Sequence, residues 1–249
     1  RALYAVRTLA VGRTLPHMTN LSVNNLNVNG LNFEYNPGKY YMAVTAGKID
    51  FRSRDFLYGR PSKVPQYVLA ASIGYGRREN DHLFLTGYTG KKQIISDQKS
   101  NAYPLSGISL QGQWVWQKYM RIVAEIAQST SPVYTDAKGM GHRGFNISDQ
   151  SNKAYSVQLY SYIPSTQTRL EGYYQKTGIN FQNFTNYRVN ANASTWSIRA
   201  EQYLFRKQLK LLAAAKKNDY RTLMSCSNIM PILFSPPLRP PSAGGTGRR

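Results

Sequence analysis

Two pairs of opposite charges have the spacing of neighbours on one face of a β-strand. Arg169 and Glu171 are separated by one residue, and so are Arg199 and Glu201. Alternate residues of a strand point to the same side of a sheet, so Arg and Glu on nearby strands could pair across an interior or line a pore together. The pattern fits the solvated face of an ordinary antiparallel sheet as well as the lining of a pore.

Catalytic and metal-binding chemistry has few side chains to draw on. The chain has three His and one Cys, Cys226, so an intrachain disulfide is impossible and a Cys/His metal site is not expected. His142 lies in a Gly-rich run with no recognisable nucleophile and orienting acid. The run Gly74-Tyr75-Gly76 lacks the following Lys-Ser/Thr of a phosphate-binding loop. We therefore predict no enzyme activity, no catalytic residues, no cofactor and no metal site.

The net charge of +20 is the strongest signal in the composition. It has three interpretations: a solvated basic surface, a nucleic-acid partner, or contact with an anionic membrane surface. The basic residues are spread along the chain and do not form one patch, which disfavours nucleic acid.

Hairpins recur roughly every 40 residues, a period also known from β-propellers. Their short turns centre near Pro37-Gly38, Arg78-Glu79, Lys118-Tyr119, Ser165-Thr166 and Arg206-Lys207. Longer polar connections cover residues 52–66, 91–106, 129–153 and 177–193. Short turns that alternate with long loops are typical of outer-membrane barrels, whereas a propeller blade needs four short strands per repeat.

Strict alternation is clearest in Ile108–Gln117, where Gln111 and Gln113 share one face with Ser109. The opposite face carries Trp114 and Trp116. Next to a short turn, this tryptophan pair fits the aromatic girdle at a membrane interface. The alternative is a pair of core tryptophans in a soluble sheet.

Other strands alternate to different degrees. Tyr155–Ile163 and Thr195–Tyr203 alternate well, Tyr40–Phe51 is apolar on both faces, and Leu209–Ala215 fits a short helix as well as a strand. The sequence contains no apolar run of 18 or more residues, so no transmembrane helix is expected. In a transmembrane sheet, Arg near the bilayer midplane would cost about 2–4 kcal/mol on the lipid side, so charged faces should point inward. The predicted lumen-facing residues are Gln111, Gln113, Arg169, Glu171, Tyr173, Gln175, Arg199 and Glu201.

Two segments carry a family resemblance. The run from Gly30 to Tyr41, followed by Ala46-Gly47-Lys48, resembles Gram-negative outer-membrane β-barrel proteins in its hairpin style, and so does Gly172-Tyr173-Tyr174-Gln175. The resemblance covers about residues 26–217. It implies a porin-like or uncharacterised barrel with a polar lumen and a lipid-facing exterior, and it names no transported solute.

The chain divides into three parts by pattern. Residues 1–25 have no clear structure beyond a possible strand at Ala2–Val11, residues 26–220 form the hairpins, and residues 221–249 are a disordered tail rich in Pro, Gly and Arg. Because the tail is a poor closing strand and no leader precedes Arg1, we expect a fragment of a barrel. The abrupt change after Tyr220 suggests sequence read out of frame.

We therefore predict an all-β fold, an antiparallel up-and-down transmembrane β-barrel with about ten visible strands. The predicted location is the bacterial outer membrane, with a permeation, ligand-uptake or structural envelope role. The expected partners are the lipid bilayer, lipopolysaccharide as a candidate, and small solutes or an unknown ligand. The alternative is a soluble all-β module whose basic face binds nucleic acid or acidic glycans.

Overall fold

The computed structural model describes residues 5–49, 66–94, 101–130, 132–133, 141–142, 150–184, 191–204 and 209–222. The strands are β1 (Val6–Thr14), β2 (Val28–Tyr35), β3 (Tyr40–Ile49), β4 (Tyr67–Gly76), β5 (His82–Ile94), β6 (Asn101–Trp116), β7 (Met120–Ser129), β8 (Pro132–Val133), β9 (Gly141–His142), β10 (Lys153–Ile163), β11 (Thr168–Thr177), β12 (Ala191–Leu204) and β13 (Leu209–Thr222). A 3-10 turn covers Gln150–Asn152. None of the helical segments in these ranges is long and apolar enough to cross a membrane.

Eleven strands form one antiparallel sheet in the order β1-β2-β3-β4-β5-β6-β7-β10-β11-β12-β13. The short strands β8 and β9 form a separate ladder between β7 and β10. This order confirms the predicted all-β, antiparallel, up-and-down fold class. The strand beyond the ten in the predicted hairpins is β1, which pairs with β2. The sheet is open between its edges, β1 and β13, so closure into a barrel stays a prediction.

Four predicted turns are confirmed, because they lie between β2 and β3, β4 and β5, β6 and β7, and β10 and β11. The turn at Arg206-Lys207 lies outside the described residues, as do residues 51–65 and 223–249. Gly38 takes a positive φ of 88°, a conformation that its missing Cβ makes accessible. Short connections of this kind keep successive strands adjacent in the sheet.

The predicted loop at 91–106 is wrong over most of its length. β5 continues to Ile94 and β6 begins at Asn101, with Lys91 opposite Pro104 in the ladder. The polar composition indicated a loop, but the two strands supply each other's backbone hydrogen-bond partners and extend together. Leu209–Ala215 belongs to β13, where pairing with β12 outweighs the helix preference of Leu, Ala and Lys.

The two faces of the sheet differ in burial. On the inner face, alternate side chains such as Tyr41, Ala43 and Thr45 of β3 are buried. On the outer face, their neighbours in the pleat, such as Met42, are exposed. The alternation continues through β4, with Val68, Ala70 and Ser72 inside and Leu69 and Ile73 outside.

Two connecting segments turn back over the inner face and fill it. We call residues 15–27, between β1 and β2, the first insert, and residues 178–184, between β11 and β12, the second insert. Met18, Val23 and Leu26 of the first insert and Phe184 of the second belong to one buried apolar cluster with side chains of β2–β6. Leu21 and Phe181, one from each insert, form a smaller cluster with Ala127 and Ala154. The hydrophobic core therefore lies between the inner face and the two inserts.

Candidate ligand-binding site on the inner face

The strand register places all eight residues predicted to face a lumen on the inner face. Gln113 lies opposite the buried His82, and Gln111 lies opposite the buried Phe84. Tyr173 lies opposite Gln158, and Gln175 lies opposite the buried Ser156. The four charged residues follow the same alternation along β11 and β12.

Trp114 and Trp116 lie on the outer face, where 57% and 69% of their surface is exposed. Both are at the end of β6 next to the turn into β7. Their rings are therefore not part of the core between the sheet and the inserts.

Arginine, glutamate and tyrosine side chains come together near the turn ends of β7, β10, β11 and β12. One row across these strands has Arg121, Tyr160, Glu171 and Arg199 in direct register. The next row has Tyr162, Arg169 and Glu201. The two charge pairs found in the sequence therefore lie side by side on β11 and β12. Tyrosines of β10 and Arg121 of β7 extend this polar surface.

Glu201 is the best-paired carboxylate of this surface. It accepts a hydrogen bond from Arg199, and its carboxylate oxygen lies 3.3 Å from the Lys210 ammonium. Arg199 is half-exposed while Glu201 is buried. The ion pair joins two residues of the same strand, whereas the sequence suggested pairing between Arg and Glu of nearby strands.

A cavity of about 360 Å³ opens between the first of these rows and the turns of the sheet. Its lining comes from β6, β7, β10, β11 and the two turns β4–β5 and β6–β7, and consists of Glu79, Val115, Lys118, Tyr119, Met120, Arg121, Tyr160, Ser161, Tyr162, Arg169, Leu170 and Glu171. The Arg121 guanidinium carbon lies 4.4 Å from the centre of the Tyr160 ring. The cavity combines cationic groups, aromatic rings and two carboxylates, a set that can hold a small polar solute.

Glu79, at the rim of the cavity, is paired with Arg7 of β1. Its two carboxylate oxygens lie 2.8 Å and 2.9 Å from the Arg7 guanidinium. Partial desolvation acts to raise the pKa of Glu79, but hydrogen bonds from Arg7 and the backbone and the charges of Arg7 and Arg78 together lower it below its usual range. Glu79 is therefore anionic at neutral pH and its charge is offset locally.

Hydrogen bonds connect the first insert to the middle of the inner face. The Leu21 backbone N–H donates to Glu125 of β7 at 3.0 Å. The hydroxyls of Thr19 and Ser109 are 3.0 Å apart. Nearer the turn end, the carbonyl of His17 accepts a hydrogen bond from Arg78 at 2.6 Å. The pKa of His17 lies below its usual value, mainly because the ring is buried. The hydrogen bond with Asn24 acts in the opposite direction, and the charge of Arg78 lowers the pKa further.

Hydrogen bonds connect the second insert to β5 and β7. Lys92 donates to the Asn183 carbonyl at 2.6 Å, and Tyr88 donates to the Gln182 carbonyl at 3.0 Å. The Gln182 backbone N–H donates to the Ser129 hydroxyl at 2.9 Å. Asn183 also donates to the Leu21 carbonyl at 3.0 Å, so that the two inserts contact each other.

Sequence reasoning missed Arg121, Glu125, Lys92 and both inserts. The run Met120–Ala127 is apolar on both faces apart from Arg121 and Glu125, and Gln128 and Ser129 follow it at the end of β7. An isolated acid in such a run is a signal for a buried, hydrogen-bonded carboxylate. The inserts left no comparable signal, because their partners lie far away in the chain.

Comparison with known proteins found no relatives of this chain. It matches no family model, no curated protein and no solved structure. Among the residues that the structure describes, no group of three or more His, Cys, Asp and Glu side chains could hold a metal ion.

Proposed function

We propose that the chain forms a β-barrel of the bacterial outer membrane with a role in permeation, ligand uptake or the structure of the envelope. The observation that carries the proposal is the chemistry of the outer face. A monomeric soluble protein rarely exposes a large continuous apolar surface, whereas a transmembrane barrel directs apolar side chains to the lipid and polar ones inward.

The outer face exposes large apolar side chains on almost every strand. They include Leu9, Val11, Leu31, Met42, Leu69, Ile73, Leu83, Leu85, Ile108, Leu110, Ile126, Val157 and Ile198. Several of the strands have ten residues. A strand of this length tilted by about 45° rises about 23 Å, close to the apolar band of about 25 Å on barrels of this class.

Aromatic side chains gather on the outer face at the turn end. Tyr40 and Tyr75 pack edge to face with ring centres 6.0 Å apart. Trp114 and Trp116 continue this belt on β6. Amphipathic rings of this kind are enriched where the bilayer meets water.

Positive charge gathers on the outer face at the opposite, loop end. The register directs five basic side chains outward near the loop ends of β1, β3, β5, β10 and β11, namely Arg13, Lys48, Lys91, Lys153 and Lys176. Lys91 lies over the Tyr67 ring at 5.9 Å from its centre. Cations at this level would meet the phosphates of lipid or lipopolysaccharide headgroups. They also account for part of the net charge without a nucleic-acid partner.

The soluble alternative requires a layer that covers the outer face. Both described inserts lie on the inner face, and within the described part of the chain the large apolar side chains of the outer face stay exposed. A basic module that binds acidic glycans or nucleic acid is therefore the second interpretation, and it becomes the conclusion if the membrane test fails.

Gel migration in detergent tests the proposal. Refolded protein should migrate differently in unheated and boiled samples, because a closed barrel keeps its compact shape in detergent until it is heated. A sample kept unfolded in urea provides the control. Identical migration of all three samples, together with a folded monomer in detergent-free buffer, would contradict the membrane barrel. Salt-sensitive binding to a polyanion by that monomer would support the soluble module.

A further inference from the structure

Arginines of the inner face fall into two groups. Arg7, Arg78 and Arg199 each pair with a carboxylate, respectively Glu79, Glu34 and Glu201. Arg121 and Arg169 form no ion pair with any residue that the structure describes. Both unpaired arginines line the same cavity. Two inner-face arginines without an ion-pair partner among the described residues therefore lie side by side in one cavity wall.

Arg121 contacts an aromatic ring of the neighbouring strand. Its guanidinium carbon lies 4.4 Å from the centre of the Tyr160 ring, a cation–π contact. A planar guanidinium can also donate two N–H groups to one carboxylate. Arg169 follows in the next row of the ladder, with Tyr162 directly opposite it on β10. Two planar donor groups beside two aromatic rings suit a carboxylate attached to a compact carbon skeleton.

The local charge balance favours an anion. Lys118, Arg121 and Arg169 contribute positive charge to the cavity wall. Glu79 is paired with Arg7, and Glu171, the second acid of the lining, has no ion pair with a residue that the structure describes. Glu171 can accept hydrogen bonds from hydroxyl groups of a solute, which adds a preference for hydroxylated molecules.

We propose that this cavity binds a small hydroxylated carboxylate, such as a sugar acid, through Arg121 and Arg169. A volume of about 360 Å³ accommodates a monosaccharide. The proposal rests on the membrane role in one respect: the solute would reach the cavity through the end of the barrel where the short turns lie. The binding chemistry itself depends on the described side chains alone.

Isothermal titration of the refolded full chain with D-galacturonate tests the site, and D-galactose is the neutral matched probe. Galacturonate should bind saturably and galactose at least about tenfold more weakly, because charge-assisted hydrogen bonds to the carboxylate are lost. The double variant Arg121→Gln/Arg169→Gln should weaken galacturonate binding about tenfold or more. Lys216→Gln removes a charge from β13, outside the cavity lining, and should leave the affinity unchanged.

Three results would contradict the proposed binding site. Absence of saturable galacturonate binding, equal affinity for the two sugars, or unchanged affinity in the double variant overturns it. Gel migration of every variant shows whether it has folded like the parent chain. A heat-modifiable band without binding refutes the ligand site and leaves the barrel standing. Binding without a heat-modifiable band refutes the barrel and leaves the site standing.

Discussion

Glu125 of β7 accepts a hydrogen bond at 3.0 Å from the backbone N–H of Leu21, 104 residues earlier in the chain. The contact joins the tip of the first insert to the centre of the inner face. Glu125 is only 5% exposed, and a buried carboxylate is stable only with hydrogen-bond donors around it. The insert and the strand therefore stabilise each other.

Replacement of Glu125 by Ala should release the tip of the first insert. The Leu21 N–H would lose its acceptor inside the protein, at a cost of about 1–3 kcal/mol in the free energy of unfolding. Glu125→Gln keeps a carbonyl acceptor and should cost less. Urea unfolding in detergent followed by tryptophan fluorescence measures both values. Equal stability of the parent chain and the Ala variant would contradict the contact.

Lys92 and Lys91 are neighbours in sequence on opposite faces of β5, which makes them a matched pair. Lys92 is 4% exposed and holds the second insert through the Asn183 carbonyl, whereas Lys91 is exposed on the outer face. Lys92→Met should destabilise the protein by about 1.5–3 kcal/mol, the usual value for a hydrogen bond to a charged group. Lys91→Met should change stability by no more than about 0.5 kcal/mol.

Protease sensitivity adds a local readout to this comparison. The Lys92→Met variant should be cleaved faster near the second insert, because the insert loses a fixed contact with the sheet. Equal cleavage patterns in the two variants would show that Lys92 does not hold the insert.

Substitutions at Gly107 and Gly87 test whether side chains fill the space between the sheet and the two inserts. A Cβ added at Gly107 would overlap the ring of the buried Tyr88, whereas one added at Gly87 would meet nothing within 4 Å. Gly107→Ala should therefore cost about 1–3 kcal/mol through overpacking. Gly87→Ala should be neutral or slightly stabilising, because Ala reduces the entropy of the unfolded chain. Thermal unfolding of the two variants gives the comparison, and equal melting temperatures would contradict a packed interior.

Local alternation predicted much of the sheet and little of its interior. The faces of Gln111 and Trp114 follow from their own neighbours in β6, because a pleated strand separates odd from even positions. The position of Leu21 depends on Glu125 and Asn183, which no local pattern connects to it. Arg121 lies opposite Tyr160 only because β7 and β10 pair across the separate β8–β9 ladder. Contacts between distant parts of the chain therefore decide the core and the cavity.

Leu110 and Gln111 of β6 distinguish a lipid-facing sheet from a water-facing one. Leu110 is exposed on the outer face, and Gln111 lies on the inner face. If the outer face contacts lipid, Leu110→Arg should destabilise the protein in liposomes by about 2–4 kcal/mol, the cost of an Arg near the bilayer midplane. Gln111→Arg should be tolerated better because its side chain stays on the polar side. Urea titration of liposome-refolded protein, read by tryptophan fluorescence, measures the difference. On a water-exposed face, Leu110→Arg would change the stability by no more than about 0.5 kcal/mol, and that result would remove the main support for a membrane barrel.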